Sequence, residues 1–273
     1  MPVSEPVSPL RLIDSHIHLD DDRFDSDRDE VVQQAIRHGV CAMVVPATTA
    51  DRWAKIQSLA QRYNHVFATH GLHPMFCHLH HENHLQALKQ HLHNGVAIGE
   101  CGLDKQPHTT DLALQKTFFA AQIDLAGESR LPLIIHARNT VEEVILMLKN
   151  AGLNRDSGNG VVHSFNGSLQ QAHRLIDLNF NVSFGGPVTN TNARKLHQLI
   201  SRLPLESMII ETDAPDQPGA AHRGQRNEPR WLNEVVSAIA ARRSESVQQI
   251  ATASNHNAMT LFQLPPTVTQ QAL

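Results

Sequence analysis

Eight times along this chain a short apolar run gives way to an amphipathic, helix-length segment. Strands are expected over 11–15, 40–46, 66–70, 96–99, 133–136, 161–163, 180–184 and 207–211. Helices are expected over 27–38, 50–63, 82–93, 111–128, 140–150, 168–178 and 192–202, and two more, 229–242 and 246–262, close the chain. Short buried strands in repeated right-handed βαβ units pack into an α/β architecture, a single (β/α)8 TIM-type barrel. An open doubly wound sheet is the alternative. It is weakened because no Gly-x-Gly-x-x-Gly follows the first strand. The 273 residues then divide into a short extension (1–10), one barrel domain (11–262) and a tail (263–273) expected to be loosely ordered.

In a parallel barrel, chemistry is expected where the strands end. Those positions carry His16 and His18 after the first strand, Glu100 after the fourth, His136 after the fifth, His163 after the sixth and Asp213 after the eighth. His16 and His18 are two apart, so in extended backbone they leave on one side. Asp14 has the same parity and is expected to orient one of the two rings. A lone strand-end histidine is more often a hydrogen-bonded rim residue. Four imidazoles and two carboxylates at one barrel mouth are costly to bury unless they hold cations.

One ion rarely takes six such ligands. The expected division is His16, His18 and Asp213 on one divalent ion and His136 and His163 on a second, with Glu100 bridging the two. Two ions about 3.5–4 Å apart clamp the attacking and leaving oxygens of a displacement and bring the pKa of a bound water toward ~7. Asp213 is the candidate general base or acid, and Asp213 and Glu100 are the candidate catalytic residues. Mixed imidazole and carboxylate donors suit zinc, manganese, iron and, less well, magnesium.

These residues lie in Asp14-Ser15-His16-Ile17-His18-Leu19-Asp20, Gly71-Leu72-His73-Pro74, Ile98-Gly99-Glu100-Cys101-Gly102-Leu103-Asp104, Leu131-Pro132-Leu133-Ile134-Ile135-His136-Ala137-Arg138, Val162-His163-Ser164-Phe165-Asn166-Gly167 and Ile210-Glu211-Thr212-Asp213-Ala214-Pro215. Asn227-Glu228-Pro229 and the 257–262 segment accompany them. In order and spacing, over about residues 11–262, the chain resembles the TatD-type metal-dependent hydrolases of the amidohydrolase-like barrels, and among them a YjjV-like branch. The resemblance implies a two-metal centre, the same six ligands, and hydrolysis of phosphoester bonds, typically in DNA. Two loops depart from the family pattern. Many members carry an aromatic and an arginine where this chain has Lys105-Gln106-Pro107-His108, and the loop after strand seven reads Gly185-Gly186-Pro187. Both lie where substrate is expected, which leaves DNA open as the physiological substrate.

His73, Arg138 and Arg223 are the candidates for gripping a phosphate, since a guanidinium offers a planar fork of donors. An ion pair with a loop carboxylate is an equal alternative for Arg138, and a solvated loop for Arg223. Glu211 is expected to face away from the ligating position of Asp213 or to support it from behind. A further group, His78, His80, His81, His84, His91 and His93, surrounds the third helix. His80 and His84 are four apart and could share a helical face, though a solvated face is favoured. Cys101 and Cys41 are read as packing residues.

Composition bounds the remaining classes. Net charge is −4, with 23 Lys and Arg against 27 Asp and Glu, so the surface is no general trap for polyanions. No apolar run approaches the ~18 residues of a membrane span, and the N-terminus lacks a signal-peptide core. Three scattered cysteines without Cys-x-x-Cys suggest reduced thiols and a cytoplasmic home. The expected partner is a phosphate-ester substrate, DNA among the candidates, with no membrane and no obligate protein partner. An amidohydrolase or lactonase acting on a small molecule is the alternative. Many such barrels bridge their metals with a modified lysine, and 96–99 contains none. A non-enzymatic metal- or nucleic-acid-binding barrel is the weaker alternative.

Overall fold

The computed structural model describes residues 10–106 and 111–269. Pro107 and His108, part of the loop that departs from the family pattern, lie outside the described residues, as do 1–9 and 270–273. Strands β1 (Leu12–Asp14), β2 (Val40–Val45) and β3 (Val66–Ala68) form one parallel arc. Strands β4 (Ile98–Asp104), β5 (Leu133–Arg138), β6 (Gly160–Val162), β7 (Phe180–Phe184) and β8 (Met208–Ile210) form the other. The arcs meet on both sides. A parallel bridge pairs His70 with Ile98, and the Ser15 amide donates to the Ile210 carbonyl while the Asp213 amide donates to that of His16. The eight strands therefore close into the expected barrel.

Helices α1 (Arg28–Arg37), α2 (Trp53–Arg62), α3 (Glu82–His91), α4 (Leu112–Ser129), α5 (Val141–Asn150), α6 (Leu169–Asp177), α7 (Arg194–Arg202), α8 (Leu232–Ala240) and α9 (Val247–Phe262) follow the strands. Local chemistry sets several of their starts. Ser168 with Gln171 and Ser246 with Gln249 form reciprocal capping boxes at α6 and α9. Short 3-10 turns at Ala50–Arg52 and Pro229–Trp231 replace the first turns of the helices expected to begin at 50 and 229.

Strand alternation divides the apolar residues into two clusters. Ile13, Ala42, Val44, Ala97, Ile134, Val161 and Ile209 fill the barrel interior. Their neighbours, including Met43, Ile98, Ile135, Val162 and Ile210, face the helices in a larger cluster. Each fully buried Leu, Ile, Val or Phe contributes roughly 1.5–3 kcal/mol of transfer free energy. The interior cluster also takes in Leu261, Phe262, Leu264 and Val268. The tail expected to be loose is thus packed as far as Thr269, where a 3-10 turn, Pro266–Thr269, buries Val268. Asn255 ties α9 to the first strand: its Oδ1 accepts from the Ile13 amide at 3.0 Å and its Nδ2 donates to the Arg11 carbonyl at 2.9 Å.

Strand four differs most from expectation, running over Ile98–Asp104 rather than 96–99. Gly99 and Gly102 are the reason. They allow close strand approach rather than ending the strand. At Gly102, with φ +124°, a Cβ would stand 2.1 Å from the His136 carbonyl oxygen. The pairing with β5 shifts register between Ile98 and Cys101. Among the described residues, no helix is long and apolar enough to cross a membrane.

Candidate metal centre

Seven side chains, carried by six of the eight strands, meet at the barrel mouth. The organising group is Glu100, which is 1% exposed. Its Oε2 lies 3.3 Å from His16 Nε2 and 3.5 Å from His18 Nε2. Its Oε1 lies 2.9 Å from His73 Nε2, 3.0 Å from His136 Nδ1 and 2.8 Å from His163 Nε2. Asp213 Oδ1 completes the first group, 3.6 Å from both His16 Nε2 and His18 Nε2. The two oxygens of one carboxylate thus address two separate sets of nitrogens.

The donor set fits divalent cations. Two nitrogens bound tetrahedrally at ~2.0–2.1 Å stand about 3.4 Å apart. The His16 and His18 Nε2 atoms are 3.4 Å apart, and His136 Nδ1 and His163 Nε2 are 3.2 Å apart. Three overlapping groups have donor atoms close enough to share an ion: His16, His18 and Asp213; His16, Glu100 and His163; His73, Glu100 and His136. Glu100 Oε2 is buried without a hydrogen-bond partner. Such an orphan acceptor is costly unless a cation satisfies it.

Electrostatics follow from the same crowding. Burial opposes ionisation of Glu100, but His73, His163 and His16 together hold its carboxyl well below the usual range. His163 is raised well above its ordinary value, Glu100 and Glu211 outweighing burial. Burial, with His163 beside it, lowers His16.

The ligating rings are held from behind. His136 Nε2 lies 2.8 Å from Asp104 Oδ2, leaving Nδ1 for the centre. Glu211, fully buried, accepts from the Ser164 amide at 2.7 Å and the Ser183 hydroxyl at 2.5 Å, and its Oε1 stands 3.8 Å from His163 Nδ1. Gln217 donates to Asp213 Oδ2. Neither Asp104 nor Gln217 was assigned a role from sequence. Asp104 escapes the strand-end pattern because β4 runs five residues past the expected end at residue 99. Asp14 does not orient a ring as expected. Its carboxylate accepts from the Thr212 amide at 2.9 Å and hydroxyl at 2.6 Å, pinning the loop after β8 to β1. Burial pushes its carboxyl up to about 7 against those bonds.

The family of this chain follows from comparison with known proteins. The model of the TatD-related DNase family matches residues 13–263. The chain belongs to that family. Among its TatD relatives, the uncharacterized metal-dependent hydrolase YjjV of Escherichia coli K12 is 38% identical, covering 93% of this chain and 99% of that protein. The crystal structure of the same TatD homologue superposes with a TM-score of 0.89 at 37% identity, over 94% of this chain and 99% of the other. The 3'-5' ssDNA/RNA exonuclease TatD of Salmonella typhimurium is 32% identical over 93% of this chain and 99% of its own length. This TatD-family chain is a metal-dependent hydrolase with the TIM-type barrel.

The centre floors a cleft of about 1100 Å³ lined by His18, Glu100, His136, His163 and Asp213. Of the three residues expected to grip phosphate, His73 lies inside the centre against Glu100. Arg138 is exposed on the cleft wall, where the Gln106 amide oxygen accepts from its guanidinium in the orientation that satisfies both groups. Arg223 is exposed outside the cleft lining, donating to Asn190 Oδ1 at 3.3 Å, because its loop turns away from the mouth. His80 and His84 do not share a helical face. His80 precedes α3, is buried, and its Nε2 lies 2.9 Å from the His73 carbonyl.

Proposed function

We propose that this chain hydrolyses phosphoester bonds with two divalent cations, one held by His16, His18 and Asp213 and the other by His136 and His163, with Glu100 between them. The observation that carries this reading is the split of Glu100, one oxygen toward each set of donors. When bound, the cations supply Lewis-acid polarisation of a phosphoryl oxygen and ready deprotonation of the attacking water.

The chain's own groups do the rest. Asp213, at the cleft surface of the centre, takes the proton of the attacking water and returns it to the leaving oxygen. Gln217 fixes the carboxylate that does so. Arg138 on the wall binds the charge of the ester. Asp104 and Glu211 hold His136 and His163 in place. The nuclease name of the Salmonella relative supports a nucleic-acid or other phosphate ester over an amide or lactone. Three buried free thiols, Cys41, Cys77 and Cys101, support a reducing, cytoplasmic location.

The test is a panel of phosphomonoester, phosphodiester, single-stranded DNA and RNA, amide and lactone substrates with Mg²⁺, Mn²⁺, Co²⁺ or Zn²⁺. Phosphoester turnover that falls about 100-fold or more in Glu100→Gln is expected. Turnover confined to amides or lactones overturns the reading. Unchanged turnover in His136→Ala removes the second ion from it.

A further inference from the structure

The histidine-rich stretch around α3 is not absorbed by the barrel mouth. It meets a residue that strand parity sends the other way. Phe67 packs with the barrel interior, Ala68 with the helix layer. His70 shares the parity of Ala68 and points outward, between α2 and the segment that follows α3. Its ring is fully buried, and neither Nδ1 nor Nε2 has a hydrogen-bond partner. A buried imidazole with both nitrogens orphaned calls for an ion or a water.

The His91 ring stands beside it, centroids 5.5 Å apart and planes at 40°. The His136 and His163 rings at the barrel mouth stand at 5.4 Å and 35°, almost the same arrangement. Two imidazoles sharing one zinc at ~2.0–2.1 Å place their centroids roughly 5–5.5 Å apart. The exposed pair His81 and His84 has a similar separation, 5.3 Å, but His84 Nδ1 already accepts from the His81 amide. Gly95 leaves room for the His70 ring itself: a Cβ there would lie 2.8 Å from Nδ1. Burial, with His91 and His93 nearby, lowers His70 to about 4, so its ring is neutral and its lone pair free near neutral pH.

We propose that His70 and His91 form a second divalent transition-metal site, separate from the barrel mouth, with water completing the coordination. Imidazole ligation favours zinc, nickel, cobalt or copper over magnesium or calcium. Such an ion ties the end of α3 to the backbone beside the centre, since the His70 carbonyl accepts from the Gly99 amide at 2.9 Å, next to Glu100.

Trp53 is a built-in reporter, its ring 5.1 Å from His91 and 6.2 Å from His70. The chain has one other tryptophan, Trp231, which Trp231→Phe removes. Ni²⁺ titrated into that metal-loaded, full-length protein is expected to quench Trp53 with a saturable, one-equivalent step. His91→Asn is expected to weaken that step by at least the about 10–100-fold that loss of an outer partner costs a metal site, with hydrolysis unchanged. His136→Ala is expected to leave the quench intact. His91 is partly exposed, so its variant tests the site even where His70→Leu fails to fold. Equal quenching in His91→Asn, or its loss in His136→Ala, overturns the proposal.

Discussion

His136 Nε2 donates to Asp104 Oδ2 at 2.8 Å, so the opposite nitrogen, Nδ1, faces Glu100 Oε1 at 3.0 Å. One residue on β4 thereby selects the tautomer of a ligand on β5, and another, Glu100, faces the lone pair that this leaves free for a cation. Asp104→Asn keeps the shape but can present an N–H where an acceptor is needed. Metal affinity is expected to fall about 10–100-fold, with activity recovered at high metal concentration. Titration of metal-free protein by calorimetry checks this. Unaltered affinity would mean that Asp104 has no hold on the ring.

Chelation should destabilise the protein. The groups around Glu100 are arranged for cations, and whatever binds only the folded state stabilises it. With free metal at 100 to 1,000 times its dissociation constant, removal is expected to cost about 2.7–4.1 kcal/mol. Thermal melts with and without chelator check this. Superimposable melts would show that the centre contributes nothing to stability.

His70 sets a pH dependence of its own. Burial, with His91 and His93 nearby, lowers it to about 4 from an ordinary 6.5. Between those values the unfolded chain holds the proton and the folded chain does not. Stability therefore rises with pH through that window, is fully present above the unfolded value, and is lost as pH falls through the folded one. His70→Leu should remove on the order of 2–3 kcal/mol of this dependence. Urea unfolding of metal-free protein at about pH 4.5 and about pH 7.5 measures it. Parallel pH slopes in variant and parent would count against it.

Gly102→Ala should be among the most damaging single changes. The position combines φ +124° with a built Cβ 2.1 Å from the His136 carbonyl oxygen. Backbone strain and overpacking each cost about 1–3 kcal/mol. A total loss of ~2–6 kcal/mol is expected, with weaker metal binding because β5 is pushed away. Denaturant midpoints and metal titration report both. A neutral outcome would mean that the two strands can part at no cost.

Much of this was legible in the residues. His16, His18, Glu100, His136, His163 and Asp213 each lie at or just past an apolar run, and barrel topology alone says that such positions converge. Their period-two and strand-end spacing does not depend on distant contacts. Asp14 shows the limit. Its parity matched the ligands, yet tertiary packing turned it to Thr212. Glycine misled in the same way. Gly99 reads as a terminator but permits a close approach to β5. Arg223 was placed by its loop, and loop direction is set by partners such as Asn190 rather than by local pattern.

The order of apolar runs and amphipathic segments determined the eightfold barrel and the identity of the polar residues at its mouth, because burial and periodicity are properties of local stretches. Only the folded molecule decided which oxygen of Glu100 meets which histidine, that Asp104 steers His136, that the tail seals the barrel floor, and that His70 turns outward to meet His91. These are pairings between residues far apart in the chain. Their distances depend on strand register and helix packing, which no local run of residues contains.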